Sequence, residues 1–133
     1  MIVRRLDEIK NTAREVTPES GNWTSFRLLL KCDAMGFSLH ETLVRAGTVN
    51  RMWYKHHLEA VYCVSGKGEV EDLRTGAVYP VEDGTLYALD SHDLHCLRAL
   101  TDMRVICVFN PPLTGREVHD GKGVYPLLEE ERN

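Results

Sequence analysis

The sequence predicts a small all-β protein: a single-domain barrel preceded by one short N-terminal helix. Short runs rich in β-branched and aromatic residues recur at intervals of about 8–12 residues. Turn signals separate most of these runs, and the clearest are Gly66-Lys67-Gly68, Thr75-Gly76 and Glu82-Asp83-Gly84. The 133 residues, 43% of them hydrophobic, are enough for one core. This combination is typical of a β-sandwich or barrel and excludes a helical bundle.

The elements follow in order along the chain. Leu6 and Ile9 recur at helical spacing and predict one short helix over Leu6 to Asn11. Pro111 and Pro112 end the last strand, because proline cannot donate to a strand ladder. One domain therefore spans residues 1–133, with a loose tail from about residue 126. Alternating side chains predict strands at residues 23–30, 37–46, 52–57, 59–64, 69–73, 77–81, 85–89, 94–99 and 103–110.

The first two of these strands each have one largely polar face. In the first, Trp23, Ser25 and Arg27 share one side, and apolar residues share the other. In the second, His40 and Thr42 share a side that is again opposite to leucines. Alternation identifies the two faces of each strand, but it does not say which face is buried.

Charge and hydropathy exclude several classes of partner. The net charge is -4 and no basic stripe is present, which excludes a nucleic-acid surface. Charged residues from Arg4 to Glu8 interrupt the apolar stretch that a signal peptide needs, and no run of about 18 apolar residues suggests a membrane span. The four cysteines form no C-x-x-C pair and are interpreted as buried free thiols. We therefore expect a cytoplasmic protein.

The stretch from Tyr54 to Gly68 carries the first chemical signal. His57 and Glu59 stand two residues apart in a strand-like run, so an imidazole and a carboxylate share one face. Apolar residues follow at once, from Ala60 to Val64, as in a strand that crosses a core. We interpret this stretch as part of a barrel that holds one metal ion.

The glycines around this stretch stand at the spacing of the two cupin motifs. Gly47, Glu59 and Gly66 fit the first motif, G-x5-H-x-H-x3-4-E-x6-G. Gly76 and Gly84 fit the second, G-x5-P-x-G-x2-H-x3-N. The predicted fold is therefore a single-domain cupin, a jelly-roll-like β-barrel.

The ligand positions of those motifs are largely replaced. Trp53 and Lys55 occupy the two histidine places of the first motif, and Tyr87 occupies the histidine place of the second. A metal would then need Glu59, Tyr87 and a third donor.

For the third donor, His95 at the start of the next strand is better placed than His92 in the preceding loop. Two oxygens and one nitrogen leave coordination positions open and are compatible with Fe(II), although they do not rank iron above zinc or manganese. A closed structural site usually has four protein ligands. Other histidines are weaker candidates, because a strand histidine is more often a packed, hydrogen-bonded residue than a ligand; these are His40, His56, His57 and His119.

Several local runs add a resemblance to a known family. They are Met1-Ile2-Val3-Arg4, Gly36-Phe37-Ser38, His56-His57-Leu58-Glu59-Ala60-Val61, Tyr87-Ala88-Leu89-Asp90, His92-Asp93 and, most specific, the run from Val108-Phe109-Asn110-Pro111-Pro112 to Asp120. On these runs the chain resembles the ectoine synthase family over almost its whole length. The resemblance implies a ferrous ion held by Glu59, Tyr87 and His95, and a homodimer.

The resemblance also implies a reaction. Ectoine synthases close the ring of N4-acetyl-L-2,4-diaminobutyrate to give ectoine, an osmoprotectant, with loss of water. This makes them carbon–oxygen lyases. The enzyme must fold the flexible substrate, polarise its amide oxygen and move protons to the departing oxygen. Whether a metal-bound hydroxide or a side chain takes the amine proton stays open.

Roles for individual residues follow from the same resemblance. Glu117, His119 and Tyr54 are expected in the acid and base steps. Without the resemblance, Glu117 and His119 would be interpreted as surface residues. Arg27 is expected to bind the substrate carboxylate, with a structural ion pair as the alternative. The full substrate-binding set is Trp23, Arg27, Thr42, Tyr54, His57, Phe109, Glu117 and His119.

Two other functions remain alternatives. Another metal-dependent cupin enzyme, such as a dioxygenase, would consume O2. Oxygenases of that kind usually have two histidines and one carboxylate, whereas Tyr87 here replaces an imidazole. A non-catalytic cupin that binds a small polar solute would bind its ligand without turnover.

Overall fold

Strands are the main regular element of the computed structural model, which describes residues 1–115. A single α-helix, α1 (Leu6–Ile9), precedes them, and a 3-10 turn spans Lys31–Asp33. The strands are β1 (Glu15–Val16), β2 (Trp23–Leu29), β3 (Ser38–Val44), β4 (Val49–Met52), β5 (Leu58–Ser65), β6 (Gly68–Asp72), β7 (Val78–Val81), β8 (Leu86–Leu89), β9 (His95–Ala99) and β10 (Met103–Asn110). Within residues 1–115, no helix is long and apolar enough to cross a membrane.

The strands form two antiparallel sheets. One sheet has six strands in the order β1-β2-β3-β10-β5-β8, and the other has four in the order β4-β9-β6-β7. Inward-facing residues of both sheets, such as Val61, Leu97 and Val105, are almost fully buried and form the core. Alternate residues of each strand face this core. Two antiparallel sheets preceded by one short helix confirm, within residues 1–115, the prediction of an all-β fold with a short N-terminal helix.

Several sequence-based predictions of helix and strand positions differ from the structure. The helix ends at Ile9 rather than Asn11. The two-residue strand β1 was not predicted, because two residues are too few to show alternation. The predicted strand at residues 52–57 is wrong, since β4 ends at Met52 and residues 55–56 form a turn. The chain passes here from the four-stranded to the six-stranded sheet, so it cannot continue one strand.

The polar faces of β2 and β3 point into the protein. Ser25, Arg27 and His40 are at most 2% exposed, whereas the outward-facing Phe26 and Leu39 are only half-buried. Strands usually bury their apolar side, so this arrangement is the reverse of the common pattern. The interior next to β2 and β3 is therefore lined by polar groups, as a binding cavity for a polar molecule requires.

Glycines fix the tight connection between β5 and β6. Gly66 has a φ of +110°, and a Cβ there would collide with the backbone carbonyl of Asp102. A Cβ on Gly68 would meet the carbonyl oxygen of Arg98 and the sulfur of Met103. The predicted turn at residues 66–68 is confirmed, and it depends on close approach of the backbone as well as on positive φ.

Candidate active site

A cavity of about 40 Å³ lies between the two sheets. Aromatic, apolar and polar side chains share its wall, and those that the sequence had singled out are Trp23, Thr42, Tyr54, Glu59, Tyr87 and Phe109. Six of the predicted site residues are therefore brought together around one space.

Glu59 is the acidic group in the cavity wall. It lies near the start of β5, is 6% exposed, and takes part in a hydrogen bond with the thiol of Cys107 on β10. Burial raises the pKa of Glu59 to about 8, and the Cys107 hydrogen bond opposes this rise. A carboxyl group buried in this way gains strongly from a nearby positive charge.

His57 shares the inward face with Glu59, as the spacing predicted. His57 is 1% exposed although it lies just before β5, and the exposed Leu58 separates it from Glu59. Its ring stands edge-on to Phe109, with 6.0 Å between ring centroids. His57 therefore supports the wall of the cavity without lining it.

Tyr87 enters from the neighbouring strand β8. Its partner across the ladder is Val61, and Glu59 pairs with Leu89, so Tyr87 and Glu59 are diagonal neighbours on the inner face. Burial, and next the charge of Glu59, raise the pKa of Tyr87 well above its ordinary value. The phenol and the carboxyl group therefore interact within one buried site.

His95 completes the group from the opposite sheet. It begins β9, is 1% exposed, and its Nδ1 lies 2.9 Å from the carbonyl oxygen of Asp93. A carbonyl only accepts, so Nδ1 carries the hydrogen and Nε2 presents its lone pair. Nε2 is buried and has no hydrogen-bond partner within residues 1–115. Metal-binding histidines commonly have this arrangement, in which one nitrogen is fixed by a carbonyl and the other is available.

His92, the competing histidine, is placed differently. Its side chain is exposed and its Nδ1 lies 2.8 Å from the carbonyl oxygen of Tyr54. The structure therefore favours His95 over His92 as the nitrogen donor.

The residues present fit a divalent cation only if tyrosine is included. Among residues 1–115, no cluster of three or more His, Cys, Asp or Glu side chains could hold a metal. Glu59 and His95 supply two donors of these types, and the phenol oxygen of Tyr87 supplies the third. The buried carboxyl group and the unpartnered Nε2 of His95 are the observations that make this set suitable.

Aromatic rings build the wall opposite these groups. Tyr54 is 3% exposed and meets Phe109 edge-on, with 5.1 Å between ring centroids. The centroid of Tyr54 lies 5.9 Å from that of His95, so one wall contacts both sheets. Edge-on packing of this kind fixes ring orientation and hence the shape of the cavity.

Sequence reasoning missed three polar residues of the wall and underrated a fourth. Ser25, Asn50 and Cys107 line the cavity and were not among the predicted site residues. His40, a weaker candidate, also lines it. Alternation could have found Ser25, His40 and Cys107, since each stands two residues from a predicted site residue on the same strand.

His40 and Arg27 face each other across β2 and β3. They are register partners, and burial together with the charge of Arg27 lowers the pKa of His40 well below its ordinary value. The Nδ1 of His40 lies 3.3 Å from the Ser25 hydroxyl. Arg27 is fully buried but does not line the cavity. Glu117 and His119 lie outside the described residues, so their predicted roles stay predictions.

Comparison with known proteins identifies the family. The family model described as ectoine synthase matches residues 1–129. The chain belongs to the ectoine synthase family. Ectoine synthases are hydro-lyases, so the enzyme class predicted from the sequence is confirmed.

Ectoine synthases that are similar to this chain match it over nearly their whole length. L-ectoine synthase of Desulfosudis oleivorans is 63% identical over 131 residues, which is 98% of this chain and 100% of the relative. The crystal structure of ectoine synthase from P. lautus has a TM-score of 0.86 and 53% identity, and the match covers 100% of this chain and 94% of that one. KdgF from Halomonas sp. matches with a TM-score of 0.61 at 21% identity, over 73% of this chain and 84% of its own. That last likeness concerns the fold alone and supports the predicted cupin barrel.

Proposed function

We propose that this ectoine synthase family member converts N4-acetyl-L-2,4-diaminobutyrate to ectoine. The free α-amine attacks the acetyl carbonyl carbon of the same molecule and forms a carbinolamine. Its hydroxyl group then leaves with a proton as water, and a carbon–nitrogen double bond completes the cyclic amidine. The observation that supports this proposal best is the grouping of Glu59, Tyr87 and His95. Glu59 and Tyr87 line one cavity as diagonal neighbours, and the ring centroid of the buried His95 lies 6.4 Å from that of Tyr87.

The proposed cofactor is Fe(II), with Glu59, Tyr87 and His95 as its ligands. Lewis-acid polarisation of the amide oxygen is the chemistry that such a site supplies when the ion is bound. Three protein donors leave room for a substrate oxygen. The hydrogen bond from His95 Nδ1 to Asp93 keeps the imidazole in the tautomer that can coordinate.

The aromatic wall holds the substrate in a folded shape. Ring closure requires the amine nitrogen close to the acetyl carbon, although the free substrate is flexible. Trp23, Tyr54 and Phe109 are each at most 8% exposed and leave only a small space between them and Thr42. Restricting the chain in this way brings the reacting atoms together and excludes most water.

Polar groups orient the two ends of the substrate. Thr42 lines the cavity and offers a hydroxyl for a hydrogen bond, and Thr42 in turn accepts a weak bond from the Cys107 thiol at 3.8 Å. Arg27 is a fully buried cation behind the wall and supplies a positive field for the substrate carboxylate. Support for this role comes from the pairing of Arg27 with His40, a cavity-lining residue whose pKa is lowered by burial and next by the charge of Arg27.

Proton transfer is assigned to Tyr54, Glu117 and His119. Tyr54 lines the cavity, and its hydroxyl donates a hydrogen bond to the sulfur of Met52 at 3.2 Å. We keep Glu117 and His119 as the acid and base partners on the strength of the family resemblance.

A homodimer is the proposed assembly. The outer face of the six-stranded sheet exposes apolar residues, among them the cross-strand partners Tyr62 and Leu86, which are 47% and 62% exposed. Monomers rarely leave such residues side by side, and a second copy is the partner that can cover them symmetrically. We place the enzyme in the cytoplasm, with neither nucleic acid nor membrane among its partners.

One experiment separates this proposal from its two alternatives. Protein purified and reconstituted with Fe(II) under anaerobic conditions is given the substrate, and ectoine is followed by chromatography. We expect ectoine to form without O2. A protein that needs and consumes O2 would instead be an oxygenase, and one that binds the substrate without product would be a solute-binding cupin.

A further inference from the structure

A second concave surface lies on the other side of the proposed metal ligands. It is a groove of about 140 Å³ between β6, β8 and the segment before β9. We call it the acidic groove, because its wall contains three aspartates, Asp72, Asp90 and Asp93. Asp90 is exposed, while Asp72 and Asp93 are half-buried. The carboxyl groups therefore lead from solvent towards the barrel.

The acidic groove meets the proposed metal site directly. Tyr87 lines both the groove and the interior cavity, so this side chain separates the two spaces. His95 lines the groove, is 1% exposed, and has its Nε2 without a hydrogen-bond partner in the described chain. A buried, unpartnered ligand nitrogen thus lies at the inner end of a groove whose outer end is acidic.

The acidic residues of the groove lie close to that nitrogen ligand. Asp72 is the register partner of His95 across β6 and β9, and the Nδ1 of His95 lies 2.9 Å from the carbonyl oxygen of Asp93. Arg74 is a nearby cation, and its guanidinium donates to the carbonyl oxygen of His92 at 3.3 Å. Among the described residues, three carboxylates and no lysine or arginine line the groove, so the groove is negative.

The interior cavity is less suited to the passage of a divalent cation. Most of its wall is aromatic or aliphatic, and its polar members Ser25, Thr42 and Asn50 carry no charge. A hydrated dication must exchange water for protein oxygens before it reaches buried ligands. Among the described residues, the acidic groove offers three carboxylates for this exchange, whereas the interior cavity offers only that of Glu59, itself a proposed ligand.

We propose that the acidic groove is the route by which the divalent cation reaches Glu59, Tyr87 and His95, with Asp90, Asp93 and Asp72 as successive oxygen ligands. The inference rests on the proposed metal centre. The polar substrate and the metal then use different sides of Tyr87, so metal is loaded without emptying the substrate cavity.

The test measures how fast metal binds, independently of turnover. Metal-free protein is mixed with Co(II) in a stopped-flow spectrometer, and the visible absorption of the bound ion gives association and dissociation rate constants. The groove variant carries Asp72→Asn, Asp90→Asn and Asp93→Asn, since asparagine keeps the hydrogen-bond acceptors and removes the charges. The matched control removes three acidic charges from exposed sites away from the groove, with Asp7→Asn, Glu19→Gln and Glu82→Gln.

The expected result is a kinetic one. At low ionic strength the association rate constant of the groove variant falls by about tenfold relative to the parent and the control, as expected when electrostatic steering is lost, while its dissociation rate constant stays within about twofold. At high salt the association rate constants of the groove variant and the parent become more similar, because salt screens the charges of the groove. Equal association rate constants in all three proteins, or an effect on dissociation alone, would overturn the proposed route.

A separate outcome would overturn the metal centre itself. If Co(II) does not bind the parent, or if Glu59→Gln leaves its spectrum unchanged, the ligands are elsewhere and the route is refuted with them. If Co(II) binds at Glu59 and only the groove substitutions are without effect, the metal centre stands and the route alone is refuted.

Discussion

Asp33 connects the N-terminal segment to the sheet that carries Trp23 and Arg27, and its removal has a calculable cost. The carboxylate accepts hydrogen bonds from Arg4 at 2.8 Å, from Arg14 at 3.2 Å and from the backbone N–H of Leu30 at 2.9 Å. Its side chain is only 8% exposed. The Arg4 hydrogen bond is the main cause that lowers the pKa of Asp33 from 3.8 to about 2, and burial opposes it.

The size of the effect follows from this pKa. A fall of the pKa from 3.8 to about 2, at about 1.4 kcal/mol for each pH unit, corresponds to about 2.5 kcal/mol of stability. Because the pKa is lowered in the folded protein, this stabilisation is complete above the unfolded value of 3.8 and is lost as pH falls towards 2. We expect Asp33→Asn to lower the free energy of unfolding by about 2.5 kcal/mol at pH 7, and the difference from the parent to shrink below pH 4.

Urea unfolding, followed by circular dichroism between pH 7 and pH 3, measures this difference. Asp7→Asn is the matched control, because the side chain of Asp7 is 73% exposed and its ion pairs are long, at 3.7 Å and 3.9 Å. That control should change stability by less than about 0.5 kcal/mol. A loss in Asp33→Asn that is equally small, or one that does not depend on pH, would refute the reasoning.

Three further predictions concern the fold, the cavity and the assembly. Gly68→Ala should lower the free energy of unfolding in urea by about 3 kcal/mol, because the added Cβ would collide with the carbonyl oxygen of Arg98. Gly76→Ala is the control, since a Cβ there meets no atom within 4 Å, and a smaller loss in Gly68→Ala than in this control would contradict the prediction. Phe109→Ala should lower the free energy of unfolding by about 3–5 kcal/mol and raise the KM for the substrate, because the ring is 2% exposed and packs edge-on against Tyr54. An unchanged KM would show that Phe109 is not part of the proposed binding wall. Tyr62→Asp should shift the mass measured by light scattering from twice 15.1 kDa to 15.1 kDa, and a dimer that survives would move the interface elsewhere.

The relation between His57 and Glu59 shows what sequence alone could predict. Their spacing of two residues placed both side chains on one face, and both are buried in the structure although β5 begins between them. Local alternation is dictated by backbone geometry, so it survives an error in the strand boundary. The glycine frame and the turn at residues 66–68 were predictable for the same local reason.

Relations between distant strands were harder to predict. Tyr87 belongs to the six-stranded sheet and His95 to the four-stranded one, so their meeting depends on how the sheets pack. His40 was underrated for a similar reason. Its face of β3 is polar, and a preference for burying apolar residues would turn it towards solvent, whereas the structure turns it inwards. Arg27 pairs with His40 across β2 and β3, and both are at most 1% exposed, so the structure places both in the interior.

The central claim is that one ion held by Glu59, Tyr87 and His95 is required for ring closure. The most direct measurement determines iron content and ectoine formation together, on the same samples, for the parent, Glu59→Gln and His95→Ala, with His92→Ala as the matched control, since His92 is exposed. We expect about one iron per chain and full activity in the parent and His92→Ala, and loss of both iron and ectoine in the other two. Ectoine formed at the parental rate by a Glu59 or His95 variant without iron would contradict the account.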